Sequence, residues 1–211
     1  MRRWLTTEAE LEAGGWAPDA AELAFGREGG EPELEIAIPG GMALKFGGVI
    51  DRVERRSDGS HYVLDYKTGK PPAAKVFRED PVDRGKHLQL ALYSRAIQHL
   101  RGNGKPVVAA YWHVLDRKQT ITPDVADFDP VHAAERLESV LLVLVESNQS
   151  GKFPPNPGKR EKESFENCRY CDFDSVCPAS VNRARMSSAH KRDSNVKAYF
   201  DLTEGEQDDA S

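Results

Sequence analysis

Apolar and polar positions follow two periods along this chain, and the change from one to the other marks its elements. Runs rich in β-branched and aromatic residues, near 42–55 and 60–67, flank Ser57-Asp58-Gly59-Ser60. An Asp-Gly step between such runs predicts a hairpin. Side chains alternate faces along a strand. Val49, Asp51 and Val53 therefore share one face of the first strand, and Val63, Asp65 and Lys67 share one face of the second. A turn centred on Asp58 sets Val53 opposite Val63 and Asp51 opposite Asp65. Upstream, Glu22–Gly26 and Leu34–Ile38 read as short strands separated by turns at Gly26–Pro32 and Pro39-Gly40-Gly41. At the start, Thr6 or Thr7 can cap a helix over Glu8–Ala13 that Gly14-Gly15 ends.

Past a Gly69–Pro81 loop containing Pro71-Pro72, the period lengthens. Asp83 can cap a helix to about Leu100, with Leu88, Leu90, Ala91, Leu92, Ala96 and Ile97 on its apolar side and Gly102 at its end. Val107–Leu115 is nearly all apolar, as in a strand buried on both faces, and returns parallel to the hairpin. Asp129-Pro130 opens a helix to about Ser147, on which Ala134, Leu137, Leu141, Leu144 and Val145 recur at helical spacing and suit packing on the sheet. The pattern predicts an α/β fold, a mixed β-sheet flanked by helices. We divide the chain into an N-terminal helix and loop (1–18), a core (19–150), a cysteine-bearing segment (151–186) and a disordered acidic tail (187–211).

Composition narrows the classes. The 211 residues are 39% hydrophobic and 30% charged, enough for one core with appendages. No apolar run approaches the roughly 20 residues that span a bilayer. Met1-Arg2-Arg3-Trp4-Leu5 has no apolar run behind it to make a secretory signal, which points to the cytoplasm. The net charge of −5 does not advertise nucleic-acid binding, so any such contact must be local. There is no internal repeat and no P-loop.

Two carboxylates opposed on a mostly apolar face repel. A divalent cation between Asp51 and Asp65 would resolve the conflict, and oxygen ligands suit Mg²⁺ or Mn²⁺; the other reading is a hairpin with polar positions on its solvent face. Lys67 lies two residues on, on the same face as Asp65. Gln89 and Tyr93 share a helix face at i, i+4. Arg52 falls on the opposite strand face, where a structural salt bridge is expected, and His87 reads as a surface residue. Lys70 suits a phosphate or plain solvent. Gly47, Gly48 and Gly69 allow close approach of backbone and substrate.

The motifs G-x-I-D-R, D-Y-K-T-G and Q-L-A-L-Y, taken together, resemble the PD-(D/E)xK nuclease superfamily, and more narrowly its RecB/AddB-type branch, whose last motif is Q-x-x-x-Y. The resemblance covers roughly residues 20–178. It implies a restriction-endonuclease-like core and metal-dependent phosphodiester hydrolysis. On this resemblance Asp51, Asp65 and the backbone carbonyl of Tyr66 hold Mg²⁺ or Mn²⁺. Lys67 orients or activates the attacking water, and Gln89 and Tyr93 position the DNA strand. The implied partners are DNA, single-stranded or at ends, and a helicase component of a repair system. A nuclease of CRISPR adaptation and a non-catalytic DNA-binding module are the alternative readings.

Cys168-x-x-Cys171-x5-Cys177-Pro178 is the second signal. Clustered cysteines in a cytosolic chain suggest metal ligation, and both structural zinc and [4Fe–4S] clusters take four ligands. The resemblance implies a [4Fe–4S] cluster with a fourth cysteine far upstream, near a histidine of the metal site. No cysteine precedes Cys168 and the first histidine is His61, so the expectation is a family member lacking its N-terminal part. Zinc with a histidine such as His190, or three free thiols without a metal, are the alternatives. Arg169, Tyr170 and Phe173 flank the tract and could cover a cluster or touch nucleic acid.

Overall fold

The computed structural model describes residues 2–69, 74–102, 104–105, 107–114 and 128–169, then 171–173, 176–177, 185–186, 188–189, 192–193 and 196–204. In chain order the described elements are α1 (Arg2–Ala13), β1 (Ala17–Phe25), β2 (Leu34–Ile38), β3 (Met42–Phe46), β4 (Gly48–Arg55) and β5 (His61–Lys67). There follow α2 (Ala74–Glu79), a 3₁₀ turn (Asp83–Gly85), α3 (Gln89–Arg101), β6 (Val107–His113), α4 (Pro130–Gln149) and α5 (Lys197–Glu204). The chain divides into two compact units, Met1–Ser139 and Val140–Ser211.

The turn at Asp58 sets the register of the first unit. Gly59 N–H donates to Arg56 O at 3.0 Å with φ at +86°, and Arg56 N–H donates to Ser60 O at 3.0 Å. Only glycine adopts that φ without strain. The Asp58 carboxylate accepts from Ser60 N–H at 2.9 Å. Val53 then pairs with Val63 and Arg52 with Leu64, the register expected from the sequence. A mixed sheet results, ordered β1-β4-β5-β6, with β5 and β6 parallel and the other neighbours antiparallel. The crossover between the parallel pair passes through α3, as expected.

The two faces of this sheet carry different chemistry. On one, Tyr62, Leu64 and Trp112 pack with Leu11 and Trp16. Trp4 of α1 stacks on Trp112 with ring centroids 4.4 Å apart, and also meets Tyr66. Alternation turns Val63, Asp65 and Lys67 to the other face, where α3 lies against β5 and β6. Buried Ser94 donates from α3 to the carbonyl of Val107 at 2.8 Å. A sheet between helices is the architecture that the periods predict.

Several boundaries differ from expectation. The strand expected over 42–55 is broken: β3 pairs with β2 in a separate two-stranded sheet, while β4 joins the main one. The break sits where two backbones cross. A Cβ on Gly47 would lie 2.8 Å from the carbonyl oxygen of Gly26, and one on Gly26 would lie 2.7 Å from Gly47 Cα. The strand read at Glu22–Gly26 begins earlier, at Ala17, and α1 begins at Arg2, ahead of the threonines proposed to cap it. The Gly69–Pro81 loop contains α2. Asp83 does not cap α3; with Arg84 it takes left-handed φ angles of 42° and 55° in a turn held by Asp80. The Asp80 carboxylate accepts from Val82 and Arg84 N–H and pairs with Arg136 at 2.9 Å. Asp129 does cap α4, accepting from Val131 and His132 N–H at 2.9 and 3.2 Å. The buried residues of α4 are Ala133, Leu137, Val140 and Leu141, whereas Leu144 is exposed.

In the second unit, 151–167 is irregular apart from a bridge between Arg160 and Phe165. The tail read as disordered contains α5, whose Phe200 is buried. Among the described residues no helix is long and apolar enough to cross a membrane.

Candidate active site

Four of the five side chains proposed for catalysis form one connected polar chain. Lys67, the last residue of β5, places Nζ 2.5 Å from Asp65 Oδ2 and donates to Gln89 Oε1 at 2.7 Å. Gln89 Nε2 donates to the Tyr93 hydroxyl at 3.1 Å. Strand alternation makes the first contact possible and helical spacing the last, because i and i+4 stack on one face of α3.

Asp51 joins from β4 by another route. Its Oδ2 accepts the backbone N–H of Tyr66 at 2.7 Å. The β4–β5 ladder ends one step short of the expected Asp51–Asp65 pair, at Arg52 and Leu64. Beyond that point a carboxylate replaces the backbone as acceptor for Tyr66. Tyr66 thus contributes an N–H to the Asp51 side chain.

Burial dominates the electrostatics of Asp65. The residue is 2% exposed, and burial pushes its carboxyl above the ordinary carboxylate value; the neighbouring Asp51 charge adds to the rise and Lys67 opposes it. Oδ2 has the Lys67 ammonium 2.5 Å away and no other donor among the described residues. A buried carboxylate oxygen with a single partly exposed cation for company is expensive to keep ionised. Two carboxylates, one of them in this condition, suit a hard cation that completes its shell with water. Among the described residues no group of three or more His, Cys, Asp or Glu side chains is arranged around a cation position.

β6 supplies neighbours that its apolar sequence does not reveal. In the parallel register Asp65 pairs with Tyr111 and Lys67 with His113. The Lys67 ammonium stands 5.1 Å from the centroid of the Tyr111 ring. Burial, with the Asp65 charge, raises the Tyr111 phenol well above its usual value and keeps it neutral. His87, read as a surface residue, packs edge-on against Phe77 and Tyr111. The signal was present: a strand parallel to β5 must present alternate residues to the Asp65 face, but a continuous apolar run hides which ones.

Behind the site, Arg52 bears out its structural assignment. Its guanidinium meets both oxygens of Glu8 at 2.6 and 2.8 Å, the nearly fully buried Glu54, and the Tyr66 hydroxyl at 3.3 Å. Hydrogen bonding from Arg52 is the largest effect on Glu8 and holds its carboxyl below the usual range. Gly48 needs to be small, since a Cβ there would lie 3.1 Å from ring atoms of both Phe25 and Tyr93. Gly47 answers the backbone crossing described above, whereas Gly69 is open. At Gly47 the close backbone approach expected from the sequence is present, and at Gly48 the close neighbours are two aromatic rings of the chain itself. Lys70, Tyr170 and His190 lie outside the described residues.

The three cysteines are unpaired thiols. Cys171 N–H donates to Cys168 O at 3.3 Å, and Cys177 N–H to Phe173 O at 3.0 Å, so each half of the tract is a turn.

Comparison with known proteins agrees with this geometry. Residues 1–178 match the family model of the PD-(D/E)XK nuclease superfamily. Among curated proteins the chain is similar to a subunit of the ATP-dependent helicase/deoxyribonuclease of Clostridium botulinum, 31% identical over 132 residues, which are 59% of this chain and 11% of the relative. The corresponding protein from Symbiobacterium thermophilum is 34% identical over 122 residues, 53% of this chain and 10% of the relative. That from Alkaliphilus oremlandii is 33% identical over 164 residues, 74% of this chain and 14% of the relative. The chain therefore spans roughly a tenth of the length of these relatives. They are of the AddB type that the motifs resemble. With most of its length matched and the three motifs converging on one sheet face, this chain belongs to the PD-(D/E)XK nuclease superfamily.

Proposed function

We propose that this chain is a metal-dependent deoxyribonuclease acting in a helicase–nuclease DNA-repair system, on single-stranded DNA or DNA ends. The observation that carries the reading is the continuous chain Asp65–Lys67–Gln89–Tyr93, with Asp51 tied to the same strand through Tyr66 N–H. The helicase partner rests on the names of the relatives.

Asp51, Asp65 and the carbonyl of Tyr66 would hold Mg²⁺ or Mn²⁺. Such a cation, when bound, stabilises charge on a phosphoryl oxygen and lowers the pKa of a coordinated water. Lys67 supplies a fixed positive charge beside Asp65, suited to orienting a water or offsetting charge that develops on the phosphate. Gln89 holds that ammonium through its carbonyl oxygen, and Tyr93 holds Gln89 through its hydroxyl. Tyr111 gives the ammonium an aromatic floor and gives up no proton itself.

For the cysteine tract we propose a [4Fe–4S] cluster on Cys168, Cys171 and Cys177, with zinc as the alternative. The spacing and the two local turns support it.

The test is cleavage of end-labelled single-stranded and duplex DNA by the purified chain. Cleavage that needs Mg²⁺ or Mn²⁺, stops with chelator and disappears in Lys67→Ala is the expected result. No cleavage by the intact chain on any of these substrates would overturn the reading.

A further inference from the structure

We propose that His113 is a positioning residue of this site: its ring N–H grips the exit of β5 and so keeps Lys67 in line. The catalytic consequence rests on the nuclease reading; the grip itself does not.

His113 ends β6, is 5% exposed, and stands beside Lys67 in the parallel register. Its Nδ1 lies 3.0 Å from the carbonyl oxygen of Gly69, two residues past Lys67. A carbonyl only accepts, so Nδ1 carries a proton whether the ring is neutral or charged. The next residue adds a second tie: Val114 N–H donates to Lys67 O at 2.9 Å. The end of β6 therefore holds the end of β5 at two successive points. One is ordinary backbone pairing, and the other is a buried side chain.

The ring is itself held. Tyr111, two residues back on the same face, meets it edge-on with centroids 6.3 Å apart. Gly69 offers no side chain of its own for packing, and space is open within 4 Å of where a Cβ would point. Among the described residues the imidazole is thus the side-chain anchor seen at Gly69. Lys67 depends on that anchoring because its ammonium must reach Asp65 Oδ2, Gln89 Oε1 and the face of Tyr111 from one backbone position. Residues that orient active groups from behind typically cost about 10–100-fold when removed, as in the outer shells of metal sites.

Two substitutions separate the bond from the volume. His113→Asn keeps an N–H donor near the place of Nδ1, and His113→Phe keeps a ring without the donor. His113→Leu serves if the phenyl variant fails to fold. With Mg²⁺ and labelled single-stranded DNA, the donorless variants should lose about 10–100-fold in single-turnover rate. KM should change little, and His113→Asn should recover most of the rate. A second readout needs no cleavage. Acylation by an amine-reactive ester, followed by mass spectrometry, should rise several-fold at Lys67 in the donorless variants, with Lys45 unchanged and His113→Asn like the intact protein. Unchanged Lys67 labelling in a folded donorless variant, or equal rate losses in His113→Asn and His113→Phe, would overturn the inference. If the intact chain does not cleave at all, the nuclease reading fails and the labelling still decides the role of His113.

Discussion

Lys67 and Gln89 are joined by a 2.7 Å hydrogen bond that ties the last residue of β5 to the first residue of α3. The strand and helix that carry the D-Y-K and Q-x-x-x-Y motifs therefore meet through two of the side chains proposed for catalysis. Lys67→Ala should lower cleavage by ~10²-fold or more, the usual cost of losing a charge-stabilising group. Gln89→Ala should cost less, on the order of 10-fold, because the ammonium stays but is less well aimed. Lys67→Ala should also lower Tm near neutral pH, since it leaves buried Asp65 without its counter-charge. Single-turnover kinetics and thermal melts read the two effects apart.

Asp51 has two separable roles, an acceptor for Tyr66 N–H and a proposed cation ligand. Asp51→Asn keeps a carbonyl oxygen for the hydrogen bond and loses the charge, so Tm should hold while Mn²⁺ affinity drops about 10-fold or more, as one tuned ligand commonly costs. Asp51→Ala should lose the affinity and also about 1 kcal/mol of stability. Isothermal titration with Mn²⁺ and denaturant melts distinguish the pair; unchanged affinity in Asp51→Asn would remove it from the ligand set.

His61 gives a pH dependence apart from the site. The residue is buried on β5, and its Nδ1 has no hydrogen-bond partner among the described residues. Burial lowers its pKa below the ordinary 6.5; Asp19 opposes this while Arg101 and Arg55 add to it. The folded state therefore binds fewer protons than the unfolded state. The stability from the neutral ring is fully present above about pH 6.5 and is lost as pH falls through the lowered folded value. His61→Leu should flatten the Tm-versus-pH curve over that window. A curve as steep as the parent's would show that other groups govern it.

Arg52 satisfies nearly fully buried Glu54 as well as Glu8. Arg52→Met should cost roughly 3–5 kcal/mol by leaving a buried carboxylate unpaired. Glu8→Gln should cost about 1 kcal/mol or less, since Glu8 is partly exposed and Arg52 keeps Glu54. Urea midpoints for the two variants should fall in that order.

The cysteine tract gives a spectroscopic prediction. After anaerobic purification, the chain should hold iron and absorb broadly near ~400 nm, the region of thiolate-ligated clusters. The colour should fade in air, because three protein thiolates leave one iron open. Cys171→Ser should abolish it. Stoichiometric zinc without iron would overturn the cluster.

What was legible in the sequence follows from how locally each feature is encoded. The Asp58-Gly59 turn and strand alternation were enough to pair Val53 with Val63, and helical spacing was enough to join Gln89 to Tyr93. The break at Gly47 was not legible, because it comes from a crossing with Gly26, 21 residues away and unseen by periodicity. Arg52 could be assigned to a salt bridge by its face, but its partner Glu8 lies 44 residues upstream. The helices Ala74–Glu79 and Lys197–Glu204 are too short for their period to stand out from polar neighbours. His113 was hidden because a strand covered on both sides reads as uniform.

Asp65 has a consequence for evolution in the laboratory. Its carboxyl is destabilised by burial, so the folded state works against the ionised form that the proposed chemistry needs. Substitution by Asn would relieve that burden and still fit the space. A library screened for heat tolerance alone should therefore drift toward neutral side chains at this position and yield sturdier, inactive proteins. Selection for thermal robustness has to be paired with selection for cleavage, or the screen will erode the proposed site.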